Sequence, residues 1–166
     1  MGKNEIHPKR LDYLDVNDSA CQFRINVDVL NEAFGFGIAA YRRAGYPYNP
    51  SKSISGTKPG DRFRIWLPML FKNSSGWVNS LSADGTQFYE KAEDDKGNDW
   101  IDVDDSGSKA LTLIFARSKR NGPFKFVGVF KAGKMEHLNH TYDRIATRVK
   151  LIGNPVNRIE LLDDIR

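Results

Sequence analysis

Cysteine is almost missing from this chain: Cys21 is the only one among 166 residues. An intrachain disulfide is therefore excluded, and so are zinc sites built on several thiolates. Histidine is scarce too, with only His7, His137 and His140. General acid–base chemistry would have to fall to carboxylates, and no serine or cysteine nucleophile has a convincing base partner. There is no GxxxxGK[ST] phosphate loop, and "FGFG" is too short for a dinucleotide fingerprint. No apolar run approaches the length of a membrane span. The first residues, "MGKNEIHPKR", lack the apolar stretch of a secretory signal. Ile6 stands where a myristoylation signal requires Ser or Thr. A reducing cytoplasm is the expected compartment.

What is present fits one globular domain: 40% hydrophobic and 28% charged residues over a length that supports a core without staples. The expectation is one domain over 1–166, with an N-terminal extension at about 1–20. The net charge of +4 hides a division. Residues 90 to 105, "EKAEDDKGNDWIDVDD", hold eight acids and two lysines, a net of −6, which leaves +10 for the rest. Cations gather from Arg42 to Arg64 and in "RSKRNGPFKFVGVFKAGK", which has six basic residues and no acid. Such asymmetry points to a polyanion such as nucleic acid. The plainer alternative is a solvated surface.

Hydrophobic alternation organises the chain. "CQFRINVDVL" alternates with period two and reads as a half-buried strand. "RFRIWLPML" reads as another that ends near Pro68 or lies at an edge. "GWVNSLSADGTQFYEKA" gives two extended pieces around an Asp84-Gly85 turn. The acidic stretch follows as a surface loop. "ALTLIFAR" and "FKFVGVFK" form a hairpin around Asn121-Gly122, with Gly128 marking a bulge or a close approach. "TYDRIATRVKL" is expected as a short helix capped by Thr141, and "RIELLDD" as a last strand. The fold class is therefore β-rich α+β: a small mixed curved barrel with one or two short helices, closed because closure removes edges. A sandwich is the second choice.

The longest connection, "FGFGIAAYRRAGYPYNPSKSISGTKPGDRF", mixes Tyr41, Tyr46 and Tyr48 with Arg42, Arg43, Lys52 and Lys58. Rings offer faces on which a base can stack, and neighbouring cations hold phosphates. Trp77 stands in a turn-rich context, with Asn79 and Asp84 near enough in sequence to read a base edge in an aromatic-walled pocket. The hairpin turn presents Arg117, Lys119 and Arg120 together, as a phosphate contact would. Against these stand ordinary roles: tyrosines packed as a lid, a core tryptophan, and a solubilising turn. Enzymatic signals are thinner. Spacing of three in "EHLNH" can bring His137 and His140 to one metal, but no further ligand is in view, so no metal or cofactor is expected. Asp94-Asp95-Lys96 has the Asp-x-Lys step of some metal-dependent nucleases, yet it sits in the acidic loop.

"TKPGDRFRIWLP" resembles the Lys-Pro-Gly-Asp segment before an apolar strand in PUA-like domains, the superfold with the PUA, ASCH, EVE and SRA groups. "LTLIFARSKRNGPFKFVGVFKAG" followed by "TYDRIATRV" resembles the late strands of PUA-like domains attached to bacterial restriction and helicase proteins. The likeness covers about residues 55–150. It implies a curved β-barrel that binds DNA or RNA, some groups holding a modified base in an aromatic pocket. By position it implies Tyr46, Tyr48 and Trp77 as the wall, Asn79 or Asp84 on the base edge, and Arg42, Arg43, Lys119 and Arg120 on the backbone. The acidic stretch 90–105 departs from that pattern. The expected function is a DNA-binding module, with RNA as the alternative partner, targeting a separate or fused nuclease or helicase. A metal-dependent nuclease using Asp94 or Asp104 and a protein-interaction domain are the competing readings.

Overall fold

The computed structural model describes residues 8–41, 45–48, 63–71, 77–92, 111–136 and 139–162. Strand β1 is Tyr13–Asp15, β2 Gln22–Phe23, β3 Gly45–Tyr48, β4 Phe63–Trp66, β5 Trp77–Leu81 and β6 Gln87–Ala92. The later strands are β7 Leu111–Arg117, β8 Phe124–Glu136, β9 Asn139–Ala146, β10 Arg148–Gly153 and β11 Val156–Leu161. One short helix, α1 at Asn26–Asp28, runs into a five-residue π-helical turn at Val29–Ala33. The protein is thus β-rich, with parallel and antiparallel pairs.

Two sheets divide the strands. The small one has the order β1-β10-β11. It draws Tyr13–Asp15, from the stretch expected as an extension, into register with Arg148–Lys150. The large one runs β3-β4-β7-β8-β9-β6-β5, with β2 added beside β8; β4 and β7 pair in parallel, and a parallel bridge of Met69 with Arg117 continues that pairing. This sheet is rolled. In a flat sheet β4 and β6, four steps apart, would be separated by roughly 19 Å. The rings of Trp66 on β4 and Phe88 on β6 are instead 4.8 Å apart. The Asn79 amide of β5 donates to the Met69 carbonyl, just past β4, at 3.3 Å, and so spans the gap between the two sides of the roll. The expected closed barrel is not reached by strand pairing among the described residues, where the path stays open from β3 to β5.

Two local expectations are corrected. The strand expected over "CQFRINVDVL" lasts only for Gln22–Phe23. Beyond it Val29, Leu30, Ala33 and Phe34 are buried at helical spacing. The Asn31 amide fixes the turn by donating to the Ile38 carbonyl and accepting from its N–H, both at 2.7 Å. The helix expected over "TYDRIATRVKL" is instead β9 and β10. There the tertiary ladder wins over helical propensity: β9 pairs with both β6 and β8. The hairpin of β7 and β8 is as expected, with Asn121 at φ 68°, and the ladder shifts register beside Gly128.

Burial falls into two clusters. The first lies between the large sheet, the small sheet and the helical turn, around Phe34, Phe63, Phe115 and Phe126. The second fills the inside of the roll with Trp66, Phe88, Ile114, Ala116, Phe130 and Tyr142. The alternation of β4 supplies both, Phe63 and Ile65 to one and Trp66 to the other.

Candidate functional site

Cross-strand partners share a face, so register shows what lies beside the inner cluster. Leu81, Phe88 and Tyr142 form one row across β5, β6 and β9. Two residues along, Asn79, Glu90 and His140 form the next. Across the roll, Arg64 and Thr112 are partners on β4 and β7. An aromatic interior is thus flanked by a belt of polar side chains, contributed by strands far apart in the chain.

This belt holds one acid–histidine pair and one arginine. His140 is only 3% exposed, and its Nδ1 lies 3.1 Å from Glu90 Oε1. The Arg64 guanidinium lies over the rings of Trp66 at 5.3 Å and Tyr142 at 6.0 Å. Burial pushes the Tyr142 hydroxyl above its ordinary pKa, and the Arg64 charge draws it partly back. Arg64 Nε, Thr112 Oγ1 and Asn79 Oδ1 are buried and meet no hydrogen-bond partner among the described residues. Each such atom costs about 1–3 kcal/mol, and a ligand that met all three would recover that cost. An acceptor on Asn79, and a donor on Arg64 beside the rings of Trp66 and Tyr142, suit a planar, polar-edged group.

The residues expected from sequence do not all gather here. Asn79 does. Trp77 stands opposite Ala92 on the same strand pair, two residues from Asn79. Tyr46 and Tyr48 occupy β3, opposite Ile65 and Phe63. Asp84 sits at the other end of the β5–β6 hairpin, more than about 13 Å along the strands from Trp77. Its carboxylate accepts from Ser82 Oγ, Thr86 N–H and Thr86 Oγ1, and the two Thr86 bonds, then Ser82, hold its pKa down at about 2. Tyr41 packs half-buried against the first cluster.

Lys119 and Arg120 are exposed on the β7–β8 turn, with Arg120 over Phe71 at 5.4 Å. Arg117 is more inward. It lies over Phe124 at 4.2 Å and donates from Nη2 to the Arg24 carbonyl at 2.8 Å, while burial works against its charge. It anchors the turn that displays the other two. Arg42, Arg43, Lys52, Lys58, Asp94, Asp104 and His137 lie outside the described residues. Among those described, no set of three His, Cys, Asp or Glu side chains could hold a metal, and no helix is long and apolar enough to cross a membrane.

Sequence reasoning missed Glu90, His140, Arg64 and Thr112. Glu90 opens the stretch expected as an acidic loop, and His140 drew notice only for its spacing from His137. The available signal was period two: Phe88 then Glu90, His140 then Tyr142, each pair on one face of a strand.

The family model of the SET and RING associated domain matches residues 8–151. Among solved structures, the 5-hydroxymethylcytosine-specific restriction enzyme AbaSI superposes with a TM-score of 0.61 at 23% identity. The alignment covers 84% of this chain and 42% of that one. The likeness in structure is one of fold, and the chain spans less than half the length of that enzyme. No curated protein matches the chain in sequence.

Proposed function

The chain belongs to the SET and RING associated (SRA) domain family, within the PUA-like superfold, and from that premise we propose that it reads DNA as the targeting module of a restriction or defence system. The ligand is a modified cytosine turned out of the duplex, and 5-hydroxymethylcytosine, named for the structural neighbour, is the first candidate. The observation that carries this reading is the set of buried, unmet polar atoms beside the inner aromatic cluster.

Flipping a base costs a few kcal/mol. Stacking on an aromatic face returns about 1–3 kcal/mol, and hydrogen bonds to the base edge supply the rest. Asn79 Oδ1 accepts from the cytosine amino group, while its amide stays tied to Met69. Arg64 donates to the ring's acceptor edge. Trp66 and Tyr142 line the interior, and Tyr46, Tyr48 and Trp77 complete the wall at the mouth of the rolled sheet. Edge reading belongs to Asn79, because Asp84 stands at the far end of the hairpin with its Oδ1 closing its own turn. Lys119 and Arg120 hold the DNA backbone, with Arg117 positioning them, and Tyr41, Arg42, Arg43, Lys52 and Lys58 extend that surface. Cleavage is supplied by a nuclease, fused or separate.

Fluorescence anisotropy with matched duplexes carrying cytosine, 5-methylcytosine or 5-hydroxymethylcytosine tests the reading. The wild type should prefer a modified duplex. Asn79→Ala should reduce that preference by about tenfold or more, the worth of a lost base-edge contact, while leaving binding to plain duplex nearly intact. Equal affinity of the wild type for all three duplexes would refute base reading.

A further inference from the structure

We propose that Arg144 is a phosphate contact distinct from the base site, held ready by two glycines; this rests on the DNA-reading proposal above. Arg144 lies on β9, about 13 Å along the strand from His140, and is half-buried. Its stem crosses Gly128 of β8, where an added Cβ would stand 2.5 Å from Arg144 Cδ and 2.9 Å from Cγ. Its head reaches Gly85 of the β5–β6 turn, where a Cβ would stand 2.7 Å from Nη1. Both glycines have positive φ, 134° and 76°. Two positions far apart in sequence thus leave room for one side chain.

That room is filled without an ion pair. The Asp84 carboxylate is turned towards Ser82 and Thr86. Asp143 Oδ1 accepts from Gln87 at 3.1 Å, and its Oδ2 lies against Gly133. Among the described residues no carboxylate comes within ion-pair range of the Arg144 guanidinium. Ordering an arginine costs up to about 2 kcal/mol of rotamer entropy. Here that loss is sustained in the free protein, so a phosphate meets a fork of donors already in place.

The test is anisotropy on an unmodified duplex across a salt series, comparing wild type with Arg144→Gln. The slope of log affinity against log salt should flatten by about 0.9, the release of one counterion. Affinity should fall by the same factor on modified and unmodified duplexes. An unchanged slope would overturn the proposal. Should the variant fail to fold, the wild type answers through labelling with an arginine-selective dicarbonyl, read by mass spectrometry. Duplex should protect Arg144; equal labelling with and without duplex would overturn the proposal. A wild type that binds no duplex at all removes the DNA reading and this contact with it, whereas binding with an unaltered slope removes only the contact.

Discussion

Asn79 and Asp84 stand five positions apart on one hairpin and do opposite things with their polar atoms. Asn79 keeps a buried acceptor that meets no partner among the described residues. Asp84 uses its carboxylate to close a turn, and its pKa falls to about 2. The sign follows: a carboxyl whose folded pKa lies below its unfolded value of 3.8 stabilises the turn at pH above about 4, and that support is lost as pH falls through about 2. In an NMR titration the Thr86 amide should shift with a midpoint near 2. A midpoint near 4 would mean the turn bonds are not holding the anion, and Asp84→Asn should abolish the transition. Sequence proximity suggested that both residues serve one pocket. Hydrogen bonding separates them, and that information is absent from spacing alone.

At the scale of elements, the strands with clean alternation and strong turn dipeptides were legible: β4, the β5–β6 pair around Asp84-Gly85, and the β7–β8 hairpin around Asn121-Gly122. The two misreadings have physical causes. After Phe23 the apolar positions fit both period two and helical spacing, and burial at Val29, Leu30 and Ala33 decided for the latter. In β9, Arg and Ala favour a helix locally, but neighbours on both sides complete a ladder. Gly128 was legible as a bulge or a close approach, and the structure makes it both. Gly128→Ala should therefore destabilise the protein by about 1–3 kcal/mol, through its φ of 134° and its collision with Arg144 and the Ala146 carbonyl. Urea denaturation reads this directly, and a midpoint equal to wild type would contradict the assigned bulge. Arg117→Met should keep the Phe124 contact yet release the Arg24 carbonyl. Loosening of the 118–122 turn would show as faster amide exchange there, and unchanged exchange would deny Arg117 its anchoring role.

For the molecule as a whole, charge asymmetry and the resemblance in residues 55–150 pointed to a nucleic-acid-binding β fold, and the family match bears that out. The interior could not be read in advance, because it is assembled by rolling: Arg64, Asn79, Glu90, Thr112 and His140 come from five strands and meet only through register and curvature. On the function proposed here, this interior receives a base. A crystal structure of the chain on a duplex with one 5-hydroxymethylcytosine tests it most directly. That nucleotide should lie outside the helix, its amino edge on Asn79 and its ring near Trp66 and Tyr142. A modified base still stacked in the duplex, with the rolled sheet turned away from the DNA, would contradict it.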